Sequence, residues 1–117
     1  DYYNKVIEID DRVADVHYNL GNAYYIIENV EGSIKHYEKA ITLNPNKPES
    51  FYNLGNALCM KQKYEKAIIH YKKAIKLDDN NAPAYYNLGN AYFMMSEFRY
   101  ALDNYNKALS LNPESAE

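Results

Sequence analysis

The phrase Tyr18-Asn19-Leu20-Gly21-Asn22-Ala23 returns as Tyr52-Asn53-Leu54-Gly55-Asn56-Ala57 and again as Tyr86-Asn87-Leu88-Gly89-Asn90-Ala91. Its glycines are 34 residues apart each time, and the columns around them align without an insertion. With glycine as position 8, the chain divides into units at 14–47, 48–81 and 82–115, after a partial unit at 1–13 and before the first two residues of another at 116–117. Position 24 is Tyr37, Tyr71 and Tyr105, with Tyr3 in the partial unit. Position 27 is Ala40, Ala74 and Ala108, position 30 is Leu43, Leu77 and Leu111, and Pro45 and Pro113 share position 32. A fixed period of about 20–50 residues marks a repeat array in which each unit buries its apolar face on a neighbour.

Apolar residues recur at helical spacing over positions 1–14 and again over 17–30, with a polar joint such as Glu28-Asn29 or Gln62-Lys63 between them. Each unit therefore reads as a helix A, a tight turn and a helix B. Only four glycines and four prolines interrupt a chain that is 47% hydrophobic, which suits long helices. Pro48 and Pro83 fall in first turns, where a missing N–H costs little, while Asn44-Pro45, Asn80-Asn81 and Asn112-Pro113 close the B helices. Small residues at positions 8, 20 and 27 let helix axes approach. A glycine inside helix A costs roughly 1 kcal/mol in propensity, which close packing must offset.

These columns resemble the tetratricopeptide repeat (TPR) family, with its large residue at position 4, Leu at 7, Gly or Ala at 8, Tyr at 11, Ala at 20, an aromatic at 24, Ala at 27 and Pro at 32. The resemblance spans essentially the whole chain and implies an all-α fold, a right-handed solenoid of antiparallel helix-turn-helix repeats. Departures are His17 at position 4, Leu58 at 11, Ser33 at 20 and Asp79 at 32. They are expected to perturb packing locally and to leave the register intact. Residues 1–9 are expected to form the helix B of a unit whose helix A is missing, and the chain, starting at Asp1, is expected to be a fragment of a larger protein.

At 100° per residue, positions 4, 7, 8 and 11 share one arc of helix A, and positions 2, 5, 6, 9, 12 and 13 share the opposite one. The family resemblance implies that this second arc lines a concave groove. It would carry Tyr18, Tyr52 and Tyr86 at position 5, Asn19, Asn53 and Asn87 at 6, and Asn22, Asn56 and Asn90 at 9. Tyr25, Cys59 and Phe93 follow at position 12, Ile26, Met60 and Met94 at 13, and Asp15, Glu49 and Pro83 at 2. Two acids and no base stand among these eighteen positions. Amides that both donate and accept, set beside aromatic faces, suit an extended peptide whatever its side chains, so a protein or peptide partner is expected here. The competing reading has the same amides and tyrosines bonded between neighbouring helices.

Some family members grip the acidic C-termini of heat-shock chaperones with a two-carboxylate clamp, whose positions correspond here to Tyr18, Asn22, Asn53, Pro83 and Asn87. Both amides are present and all three cations are missing. The position-6 column Asn19, Asn53 and Asn87 also resembles the asparagine ladder of O-linked N-acetylglucosamine transferases. That resemblance implies, as the alternative to an interaction scaffold, the substrate-binding arm of a larger enzyme.

Other classes find little support. Thirteen Lys and Arg against 16 Asp and Glu argue against a nucleic-acid face, and no run of about 18 apolar residues crosses a membrane. His36 and His70 share position 23 and are expected on the convex side, too far apart for joint metal ligation; His17 reads as a core aromatic stand-in. Cys59 has no adjacent base, so no catalytic residue, metal or cofactor is expected, and an intracellular site, cytoplasmic or nuclear, is. Leu102, Tyr105 and Leu109 are expected to leave an apolar end face, so that one chain's first helix stacks on another's last.

Overall fold

Proline and asparagine set the helix boundaries where the repeat columns placed them. The computed structural model describes residues 2–111, with side chains from Arg12 onward. Six helices follow one another: α1 (Tyr2–Ile26), α2 (Val30–Leu43), α3 (Pro48–Met60), α4 (Tyr64–Leu77), α5 (Ala82–Met94) and α6 (Phe98–Leu111). Pro48 opens α3, and Pro83 lies in the first turn of α5, whose cap Asn81 accepts from the Ala84 N–H at 3.1 Å. Asn44 and Asp78 end α2 and α4 in extended conformation, and each accepts through Oδ1 from the amide two residues on. The expected units at 48–81 and 82–115 thus begin at α3 and α5, while Asn112, Pro113 and residues 116–117 lie outside the described residues.

The turns inside the units share one backbone solution. Glu28, Gln62 and Ser96 all sit at positive φ, 66°, 61° and 61°. The next amide bonds back five residues, Asn29 to Tyr24, Lys63 to Leu58 and Glu97 to Tyr92, which ties off the last helical carbonyls. This short closure makes α1/α2, α3/α4 and α5/α6 antiparallel pairs, and the pairs stack into a solenoid of 49 × 29 × 24 Å.

Packing explains the glycine column. A Cβ at Gly55 would lie 2.6 Å from the ring of Tyr71, and Gly21 and Gly89 face Tyr37 and Tyr105 in the same way. Tyr37 and Tyr71 are fully buried, among Leu54, Ala57, Leu58, Ala67, Ile68, Leu88 and Ala91. Ser33 fits its alanine column because its hydroxyl donates to the Val30 carbonyl at 2.7 Å.

The N-terminal end departs from the expected organisation. Residues 1–13 were expected as a separate helix B, yet α1 runs from Tyr2 to Ile26 without a turn. Arg12 and Val13 occupy the columns filled by Asn46-Lys47 and Asn80-Asn81, and Val13 can supply no cap like that of Asn81. With nothing to stop it, the helix continues. Positions 3, 7 and 10 therefore stay open in the first unit: Leu20 is 38% exposed where Leu54 is 1% exposed. At the other end Leu102 is 60% exposed and Leu109 is exposed too, while Tyr105 is half-buried.

Candidate functional site

Helices α1, α3 and α5 lie side by side and turn the expected arc to one concave side. Tyr18, Asn22, Tyr25, Tyr52, Asn53, Asn56, Asn87 and Asn90 are half-buried there, and Asn19, Tyr86 and Phe93 are exposed. Two adjoining hollows mark the surface. One is lined by Asn22, Tyr25, Asn53 and Asn56, and a larger one of about 400 Å³ by Asn56, Met60, Asn87, Asn90 and Met94. A hollow of about 580 Å³ on another side, between His17 and α2, carries none of the amide column.

The amides are joined into a repeating network that reaches through the solenoid wall. Tyr37 donates its hydroxyl to Asn22 Oδ1 at 2.5 Å, and the same oxygen accepts from Asn53 Nδ2 at 3.4 Å. Asn53 Nδ2 also donates to the Tyr18 hydroxyl at 2.9 Å. One unit later Tyr71 donates to Asn56 Oδ1 at 2.5 Å, and Asn87 Nδ2 donates to Asn56 Oδ1 at 3.1 Å and to the Tyr52 hydroxyl at 2.8 Å. Tyr105 repeats the first bond with Asn90 at 2.6 Å. Burial raises the pKa values of Tyr37, Tyr71 and Tyr105 above the ordinary phenol value, so these hydroxyls stay protonated donors.

The amide column is bonded between neighbouring helices through some of its atoms and not through others. The Nδ2 groups of Asn53 and Asn87 hold neighbouring helices together. Oδ1 of Asn53 and Asn87 and Nδ2 of Asn22, Asn56 and Asn90 have no protein partner among the described residues, and they alternate acceptor and donor along the groove. The position-5 rings lean on the core tyrosines, with Tyr18–Tyr37 and Tyr52–Tyr71 centroids 6.0 Å apart and Tyr86–Tyr105 at 5.8 Å.

One cation reaches the groove's rim from outside the helix A columns. Lys47, in the loop before α3, pairs with Asp15 at 3.1 Å and lies 4.1 Å from the centre of the Tyr18 ring. A helical wheel of helix A cannot show a loop side chain, although Lys47 follows Pro45 at a position that must pass the groove edge. Its charge is matched by Asp15, so the groove stays close to neutral.

The remaining candidates settle into packing. The Cys59 Sγ lies 3.6 Å from the Tyr71 hydroxyl, and burial raises the thiol above its ordinary value, against a smaller opposing effect of the tyrosine. His36 packs against neighbouring rings. Its ring stacks between Tyr24, at 5.3 Å, and His17, at 5.2 Å, and its Nδ1 is 2.9 Å from that of His17. Phe51 stacks on His70 in the next unit, so position 23 packs against position 4.

Geometry of this kind, antiparallel pairs in register with a concave side built from the first helix of each pair, defines a helical-repeat solenoid of the tetratricopeptide class. Family models described as TPR repeat match residues 21–62 and 55–96, and one described as tetratricopeptide repeat matches 82–115. The chain belongs to the tetratricopeptide repeat family. It is similar to the Arabidopsis OM64 TPR domain, at 25% identity and TM-score 0.88 over 90% of this chain and 87% of that one. It is similar to MamA at 32% identity and TM-score 0.85, over 95% of this chain and 65% of that one. The first TPR of Spaghetti (RPAP3), bound to the HSP90 peptide SRMEEVD, matches at 25% identity and TM-score 0.87, over 89% and 82%. No curated protein matches the chain.

Proposed function

We propose that this chain is a non-catalytic protein-interaction module that holds peptide segments of low net charge in its Asn/Tyr-lined concave face. The similar TPR of Spaghetti holds a peptide, which supports a peptide-binding role for this solenoid. The alternating unpartnered amide atoms of Asn22, Asn53, Asn56, Asn87 and Asn90 carry the finer reading. Spaced by the repeat, they match the alternating N–H and C=O of an extended backbone and leave its side chains unread. Tyr25, Met60, Phe93 and Met94 offer apolar contact beside them.

The peptide differs in charge from SRMEEVD. A dianionic chain end would meet Asp15 and Glu49 with Lys47 already matched, and Tyr18, Pro83 and Asn87 offer no counter-charge. The transferase-arm alternative would use the same column through Oδ1 of Asn53 and Asn87, since their Nδ2 groups donate to Tyr18 and Tyr52.

Capture from a labelled pool of net-neutral extended peptides tests the reading, with Met60→Glu/Met94→Glu as the probe variant. Both methionines are exposed and lie outside the amide network, so the fold is retained while the groove becomes acidic. Loss of captured peptide by about tenfold is expected, since a contact of about 1–2 kcal/mol is removed. Unchanged capture would move binding off the concave face. Tight binding of SRMEEVD itself, in the low micromolar range, would overturn the low-charge assignment.

A further inference from the structure

The second helices of the three pairs carry similar columns inward and different charges outward. Within α2 Glu31 and Glu38 stand against Lys35 and Lys39, and within α6 Asp103 stands against Arg99 and Lys107. In α4 the balance fails: Lys66, Lys72, Lys73 and Lys76 are set against Glu65 alone, in a protein whose net charge is -3. The excess is also gathered on one side. At 100° per residue Lys66, Ile69, Lys72, Lys73 and Lys76 fall within an arc of about 120°, and all five are exposed. Ala67, Ile68, Tyr71 and Ala74 turn the opposite arc into the core.

No carboxylate among the described residues pairs with any of these four lysines; the ion pairs found there are Lys47 with Asp15 and Lys61 with Glu31. Lys73 lies instead over the Phe51 ring of α3, 5.8 Å from its centre, and Lys72 over the Tyr92 ring of α5, at 5.7 Å. A ring face attracts an ammonium group without neutralising it, so the charge stays available on both flanks of α4. Ile69 stands among the lysines and is 53% exposed. Its column holds Lys35 in α2 and Asp103 in α6, so the repeat itself does not ask for an apolar residue there.

We propose that the outer face of α4 is a docking surface, separate from the concave groove, for a short acidic polypeptide segment that carries an apolar side chain among its carboxylates. The acids pair with Lys66, Lys72, Lys73 and Lys76, and the apolar side chain covers Ile69. The borders of the basic patch set the size of the ligand. From Lys66 to Lys76 is about 15 Å along the helix, the length of about three turns. Exposed Asp78 and Asp79 follow at one end, and Glu65 lies at the other, where Lys61 is already matched by Glu31. A long polyanion would run onto those acids and would find the outer sides of α2 and α6 close to neutral, which disfavours nucleic acid. Exposed ion pairs are individually weak and screened by salt, so the contact at Ile69 supplies the part of the binding that salt leaves in place.

An NMR titration of the isotope-labelled full chain tests this, with a synthetic helical peptide of about three turns, rich in Glu and bearing one central Leu, as the probe. The amides of Lys66, Ile69, Lys73 and Lys76 are expected to shift, and those of Asn56 and Asn90 in the groove to stay in place. Lys66→Glu/Lys76→Glu should weaken the peptide at least about tenfold, and Ile69→Ser about threefold with the loss persisting at high salt. All three side chains are exposed, so the denaturation midpoint and the capture of net-neutral peptides should be retained in both variants. Met60→Glu/Met94→Glu should leave the acidic peptide bound, which separates this surface from the groove. The same peptide with Leu replaced by Gln, a single-stranded DNA oligonucleotide and phosphatidylserine vesicles should all bind more weakly. Equal or tighter binding by any of the three, shifts centred on the groove, unchanged affinity in the α4 variants, or no binding of the peptide at millimolar concentration would overturn the proposal.

Discussion

Ser50 and Ala84 occupy the same column, and both are buried against the preceding helix pair. The serine hydroxyl there has no hydrogen-bond partner, whereas the alanine needs none. Ser50→Ala removes an unsatisfied polar group without opening a cavity that the repeat has not already shown to be filled. A gain of about 1 kcal/mol is expected, read as a higher urea midpoint at unchanged slope. His36 and His70 make a second residue-scale case. Burial, followed by nearby charge, lowers both below the ordinary value of 6.5. The unfolded chain then takes up protons first, so stability present above that value is lost as pH falls through the folded values. The melting temperature should drop between about pH 7 and pH 5, and less so in His36→Gln/His70→Gln. An equal drop in both proteins would assign the loss to carboxylates. The columns foretold that Tyr37 and Tyr71 are core residues. They could not foretell that the hydroxyls emerge at the groove to hold Asn22 and Asn56, because a helical wheel gives the direction of a Cβ and not the reach of a tyrosine ring.

At the scale of the element, the turns and the first helix teach opposite lessons. Glu28 and Gln62 were legible as joints from polarity alone, but the left-handed backbone they share with Ser96 was not, since no glycine marks it. A non-glycine residue in that region carries a steric cost of about 1 kcal/mol, partly offset by the extra freedom glycine has when unfolded. Gln62→Gly, at an exposed position, should therefore stabilise by about 0.5–1 kcal/mol in chemical denaturation, and a loss would mean that the Gln62 side chain holds the turn. For α1 the error ran the other way. Repeat register alone placed a boundary before Ala14, yet the two residues at that boundary, Arg12 and Val13, are neither prolines nor capping residues. At this boundary the local residues, and not the repeat period, decide where the helix runs.

Across the whole molecule, stability passes from unit to unit through few contacts, so each joint can be addressed separately. The joint between the second and third units combines apolar packing of α4 on α5 with the two bonds that Asn87 donates, to Tyr52 and to Asn56. Asn87→Ala removes both donors, while Tyr71 still satisfies Asn56 Oδ1 and the Tyr52 hydroxyl remains half-exposed to water. No buried group is orphaned, so the cost should be that of two ordinary hydrogen bonds, about 1–3 kcal/mol in all. Because α6 packs on α5 alone among the described residues, that loss should concentrate in this helix pair. Hydrogen exchange should accelerate in α5 and α6 well before it does in α3 and α4, which keep the equivalent bonds of Asn53. Uniform acceleration along the chain would instead make the three units one cooperative block. In that case the amide network could not be acting as a joint, and its alternation of donors and acceptors would be left to the groove alone.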